Sequence, residues 1–118
     1  MTNKDIPVIY IIGPFRSKNS WLIEQNIRRA EEVSLNLWEL GFAVICPHTN
    51  TRFFNGSLND SIWLEGDKEI LKRCDAAFLI SGWEFSTGCN EEVQFCRYIE
   101  KPYFNDIKEL LKHFHKKE

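Results

Sequence analysis

The sequence predicts a three-layer α/β sandwich, with a mostly parallel sheet of four or five strands between helices. Three observations carry this. The apolar runs Ile6–Ile12, Phe42–Cys46 and Ala76–Ile80 are continuous rather than alternating, as in strands buried on both faces. Between them lie stretches whose apolar residues recur every three or four positions, the mark of helices with one buried stripe. The polar, irregular segments follow the strands, at the edge where an open parallel sheet collects its ligand.

Each element has its own reason. Ile6–Ile12 is rich in β-branched residues and is ended by Gly13-Pro14. Phe15–Ser20 is a polar loop. Trp21–Leu40 reads as a helix on Leu22, Ile23, Ile27, Ala30, Val33, Leu37 and Leu40, with Gly41 as the residue that stops it. Phe42–Cys46 is the second strand. Pro47–Ser61 is polar and long for a small α/β domain, and long ordered loops are usually functional. Ile62–Lys72 is the second helix and Ala76–Ile80 the third strand. Ser81–Gly88 is a polar loop, and Val93–Ile99 lies in the third helix. Lys101-Pro102 breaks that helix, Tyr103-Phe104 opens a short fourth strand, and Ile107–Phe114 is a last amphipathic helix. Strands alternating with helices imply right-handed βαβ units in a Rossmann- or flavodoxin-like order. The loops at Tyr10–Ser17, Pro47–Asp60 and Ser81–Gly88 then meet at one edge of the sheet.

A chain of 118 residues is expected to form a single domain, 1–118, with one core. A net charge of -2 speaks against a general nucleic-acid surface. The four cysteines, Cys46, Cys74, Cys89 and Cys96, form no CxxC pair and follow no signal peptide, so reduced thiols in a cytoplasmic protein are expected. Neither they nor His48, His113 and His115 show ligand spacing, so no metal is expected. No apolar run reaches the length of a membrane span, and no membrane partner is expected.

The chemistry concentrates in Ser81–Glu92. A strand, a polar loop and a helix N-terminus place free backbone N–H groups where an anion can sit. Ser86 and Thr87 are suitable N-caps, and Glu91 or Glu92 can face a ligand held by the loop. The plain alternative is that both acids only favour the positive end of a helix dipole.

Taken together, Tyr10-Ile11-Ile12-Gly13-Pro14-Phe15-Arg16, Asp67 ahead of Cys74-Asp75-Ala76, and Ser86-Thr87-Gly88-Cys89-Asn90-Glu91-Glu92 resemble the nucleoside 2-deoxyribosyltransferase superfamily. The resemblance is closest to its 2′-deoxynucleoside 5′-monophosphate N-glycosidase branch and to small bacterial and phage relatives. It spans Tyr10 to about Pro102. It implies that Glu92, four residues after Gly88, is the nucleophile that attacks the anomeric carbon, with Glu91 the competitor in register. It implies that Asp67 protonates or orients the leaving base, with Glu65 and Glu69 flanking it, and that the Tyr10 hydroxyl contacts the catalytic carboxylate. Ser86 matches a phosphate-binding serine and Arg16 an arginine of the nucleotide branch. Gly13 and Gly88 belong to the same motifs. Phe15, His48, Trp83, Phe53 and Phe54 could stack on or edge a base, and Asn50 and Asn55 could hydrogen-bond to one.

The expected function is cleavage of the N-glycosidic bond of a nucleotide by hydrolysis, or deoxyribosyl transfer, without a cofactor. The alternative is a non-catalytic nucleotide-binding module. The resemblance also implies a homodimer or larger assembly. Gln94 and Cys96 stand where many members have smaller Gly and Ala.

Overall fold

Four parallel strands form one sheet in a computed structural model of the chain, which describes residues 5–50, 54 and 56–116. They are β1 (Val8–Ile12), β2 (Ala43–Ile45), β3 (Ala76–Leu79) and β4 (Tyr103–Phe104), in the order β2-β1-β3-β4. The helices are α1 (Ser20–Glu39), the short α2 (Pro47–Asn50), α3 (Asp60–Arg73), α4 (Thr87–Tyr98) and α5 (Ile107–His113). A 3₁₀ turn, Trp83–Phe85, precedes α4. Among the described residues, no helix is long and apolar enough to cross a membrane.

The central strands are apolar on both faces because both faces are covered. Ile9 and Ile11 of β1 join Ala76, Phe78 and Ile80 in a core with α1 and α5, which supply Ala30, Leu37, Leu110 and Leu111. Tyr10 and Ile12 point the other way. They join Ala77 and Leu79 in a second core with Leu71 of α3 and Cys89, Val93 and Cys96 of α4. This period of two assigns Tyr10 to the face covered by α3 and α4.

The chain leaves β1 toward β2 on one side and leaves β3 toward β4 on the other. The loops after β1 and β3 therefore diverge, and a crevice opens between them at the carboxyl edge. Gly13 permits the tight exit from β1, because a Cβ there would lie 2.7 Å from Ile80 Cδ1. Gly82 turns the chain after β3 in the left-handed region, at φ 95°.

Three boundaries differ from expectation. The helix expected over Val93–Ile99 begins at Thr87, capped by the Ser86 side chain, which accepts from Cys89 N. Its first turn is polar because that turn faces the crevice, so no apolar stripe announces it. The loop expected over Pro47–Ser61 contains a helical turn at Pro47–Asn50 and yields to α3 at Asp60, where Asn59 caps. Ile6 lies outside β1 and is exposed. Gln94 is exposed, whereas Cys96 is fully buried.

Candidate active site

The crevice is a cavity of ≈ 570 Å³, a size that suits a small-molecule ligand. The loop after β1 gives it Gly13, Pro14, Phe15 and Arg16. The segment after β2 gives Pro47 and His48. Helix α3 gives Asp60, Trp63, Leu64 and Asp67. The segment after β3 and the start of α4 give Gly82, Phe85–Cys89, Glu91 and Glu92. All three polar segments thus meet here.

The innermost group is built from three elements. Tyr10, with no exposed surface, reaches from β1 toward α4, and its hydroxyl donates to Glu92 Oε2 at 2.5 Å. Glu92 is therefore the acid engaged from the sheet, while Glu91 is an exposed neighbour at the cavity wall. Asp67 lies on the same wall from α3. Burial pushes its carboxyl up to about 6. Burial also pushes Glu92 up to about 7, aided by the charges of Asp67 and Glu91 and opposed by the Tyr10 hydrogen bond and Lys68. Burial, and then the Glu92 charge, drives the Tyr10 phenol far above its ordinary range, so it remains a donor. Two carboxyls that repel each other hold a single proton between them near neutrality. Glu92 has the higher value, so the proton rests mainly there, and the Tyr10 O–H, which favours the negative charge on Glu92, offsets part of that preference. The form with Glu92 ionised and Asp67 protonated, the one a nucleophile and a general acid would need, is the minor of the two singly protonated forms.

The mouth is polar. At the start of α4 the Ser86 side chain caps the helix, and Asn90 Nδ2 holds the preceding turn by donating to the carbonyls of Glu84 and Ser86, each at 2.9 Å. Backbone N–H groups in a first helical turn lack intrahelical partners and suit an anion. On the loop after β1, the Arg16 guanidinium pairs with Asp60 at 2.7 Å, both side chains being more than half exposed. Asn26 of α1 steadies this loop by donating to the Phe15 carbonyl.

The sides are aromatic. His48 is buried, with Nε2 2.9 Å from the Pro14 carbonyl and its ring edge-on to Phe15. Burial lowers its pKa against the opposing pull of the Pro14 and Gly13 carbonyls, so the ring is neutral at physiological pH. Trp63 lies one turn before Asp67 on α3, with its ring beside Phe54.

Most of the expected site residues come together: Gly13, Phe15, Arg16, His48, Asp67, Ser86, Gly88 and Glu92 line the cavity, and Tyr10 supports Glu92 from beneath. Trp83 does not line it. Its ring packs on the core between the sheet, α3 and α4, and Phe85, two residues on and 94% exposed, lies at the rim instead. Asn50 ends α2 away from the lining, and Phe53 and Asn55 lie outside the described residues. Trp63, Asp60, Phe85 and Thr87 are cavity residues that motif reading misses. For Trp63 the signal is present in the sequence, since a residue four before Asp67 shares its helix face. Among the described residues, no three His, Cys, Asp or Glu side chains group as a metal site.

The fold and cavity define a Rossmann-like α/β protein with its site at the switch point of the sheet. The fold is similar to that of a 2-deoxyribosyltransferase from the psychrotolerant bacterium Bacillus psychrosaccharolyticus, which is described as a biocatalyst for nucleoside synthesis. The TM-score is 0.63 at 20% identity, over 85% of this chain and 75% of that one. No curated protein matches the sequence. The chain belongs to the family described as "Domain of unknown function (DUF7768)", whose model matches residues 7–106.

Proposed function

We propose that this protein cleaves the N-glycosidic bond of a 2′-deoxynucleoside 5′-monophosphate. The observation that carries the reading is the Tyr10–Glu92 hydrogen bond beside Asp67 in a cavity of nucleoside size. The Glu92 carboxylate attacks C1′, the C1′–N bond breaks as an ester to Glu92 forms, and the Asp67 proton goes to the departing base nitrogen. Water then attacks C1′, gives its proton to Asp67 and releases Glu92 as carboxylate. A second base in place of water gives deoxyribosyl transfer, the activity named for the similar fold. No cofactor enters these steps.

The start of α4 with Ser86, and Arg16 in the same lining, support a phosphate on the sugar. One observation favours a second substrate. Asp60 already neutralises Arg16, and the lining carries Asp60, Asp67, Glu91 and Glu92 against that one arginine. This balance suits an uncharged deoxynucleoside. The test is base release, followed by chromatography, from matched panels of deoxy- and ribonucleosides and their 5′-monophosphates. Faster release from the monophosphates supports the first reading, and faster release from the nucleosides the second. No release from any of them, with or without an acceptor base, overturns both.

We also infer a homodimer or larger assembly. Trp21, Leu35, Trp38, Phe85 and Tyr98 are each more than half exposed, an apolar surface that subunit contact would cover.

A further inference from the structure

A phosphate that enters the cavity has one cationic side chain to meet among the described lining residues, that of Arg16. Arg16 is already engaged. Its Nη2 donates to Asp60 Oδ2 at 2.7 Å, joining the loop after β1 to the start of α3, 44 positions away in the chain. The fold draws little from this bond. Both side chains are more than half exposed, and ion pairs in that setting contribute little stability. Asp60 opens α3, but Asn59 caps the helix by accepting from Ser61 N at 3.1 Å. Both partners line the cavity, so the pair bears on what enters it.

We propose that Asp60 is a specificity-determining residue: it withholds Arg16 from an anionic ligand and weights the cavity against a 5′-phosphate relative to a 5′-hydroxyl. Two effects act together. A phosphate must compete with the Asp60 carboxylate for the guanidinium, and the same carboxylate repels it as a like charge. A neutral 5′-hydroxyl meets neither. The pair is nonetheless exchangeable. It is exposed, and it engages one nitrogen of Arg16, so the rest of the planar fork is open to a second partner. Asp60 thus grades the two ligands rather than excluding one. The inference rests on the proposed glycosidic function and names the residue that sets the balance between its two substrate forms.

The test measures affinity by calorimetry for matched 2′-deoxynucleosides and their 5′-monophosphates, with thymine, cytosine, adenine and guanine as bases. Every protein titrated carries Glu92→Gln, so that no ligand is consumed, and circular dichroism confirms each fold. Asp60→Asn keeps the size of the side chain and removes its charge. It should bind the monophosphate about tenfold more tightly, the scale of one charge-assisted hydrogen bond, and leave the nucleoside within about twofold. Arg16→Gln should weaken the monophosphate about tenfold and leave the nucleoside within about twofold. Glu91→Gln removes a charge from the same lining without touching the pair, and it should change the monophosphate by less than about threefold.

An unchanged or weaker affinity of Asp60→Asn for the monophosphate would overturn the proposal. So would an equal gain in Glu91→Gln, or an unchanged affinity in Arg16→Gln. If Asp60→Asn does not fold, Asp60→Ser decides in its place. Base release by the wild-type protein, with no shift in Asp60→Asn, overturns this inference and leaves the glycosidase reading intact. The expected shift in Asp60→Asn, with no turnover of any nucleoside or nucleotide by the wild-type protein, upholds it and overturns catalysis. No binding and no base release with any of these ligands overturns both.

Discussion

At the scale of single residues, the Tyr10–Glu92–Asp67 group sets the pH behaviour. The proposed cleavage needs one ionised and one protonated carboxyl. With Asp67 at about 6 and Glu92 at about 7, base release should follow a bell that peaks at about pH 6–7. It falls in acid, where both carboxyls are protonated, and in alkali, where both are ionised. Tyr10→Phe removes the donor that favours ionised Glu92. Its kcat should drop about tenfold, and the alkaline limb, which follows the higher value of Glu92, should move to higher pH. A profile that keeps its position would show that the hydroxyl does not govern this carboxyl.

The same carboxylate has a cost in stability. The folded pKa of Glu92 lies above its ordinary 4.5, so the fold favours the protonated form. That contribution is fully present below pH 4.5 and is lost as the pH rises through about 7. Glu92→Gln should therefore be inactive yet more stable than wild type at pH 8, by about 2 kcal/mol, since part of the side chain still meets the open cavity. The difference should fade by pH 4 in urea titrations at the two pH values. A Glu92→Gln variant that is less stable than wild type at pH 8 would mean that the buried charge is already compensated.

At the scale of elements, the start of α4 serves both fold and site. Ser86→Ala removes the N-cap and should cost about 1 kcal/mol of stability. If the helix start holds a phosphate, the same change should raise KM for monophosphates and leave nucleosides nearly unaffected. Equal effects on both would place the phosphate elsewhere. Legibility in the sequence follows function at this scale. The runs at Ile9–Ile12 and Ala76–Ile80 are plain because both faces are buried and nothing polar interrupts them. The first turn of α4 is hidden because Gly88, Asn90 and Glu91 serve the crevice and its supporting turn rather than the core. Trp83 and Phe85 show the converse limit. Both are aromatic and two residues apart, and only the three-dimensional turn decides that one packs on the core and the other stands at the rim.

At the scale of the whole molecule, the order β2-β1-β3-β4 makes distant residues into one site. Tyr10 and Glu92 are 82 residues apart and meet only because β1 is central and α4 lies on its even-numbered face. Gly13 is part of that frame. Gly13→Ala would drive a methyl group into Ile80 and should cost about 1–3 kcal/mol, read as a lower midpoint in denaturant. An unchanged midpoint would mean that the crevice edge yields without penalty. The exposed aromatics belong to this scale too. Sedimentation equilibrium should return at least twice the mass of one chain, and a monomer at micromolar concentration would contradict the inferred assembly.

The most direct test of the central claim is to find the sugar on the protein. Acid-quenched reactions with the best substrate, digested and analysed by mass spectrometry, should show a deoxyribosyl or deoxyribosyl-phosphate ester on the peptide that carries Glu92. The ester should persist in Glu91→Gln and be absent from Glu92→Gln. An adduct on any other residue, or undiminished base release by Glu92→Gln, would contradict the account.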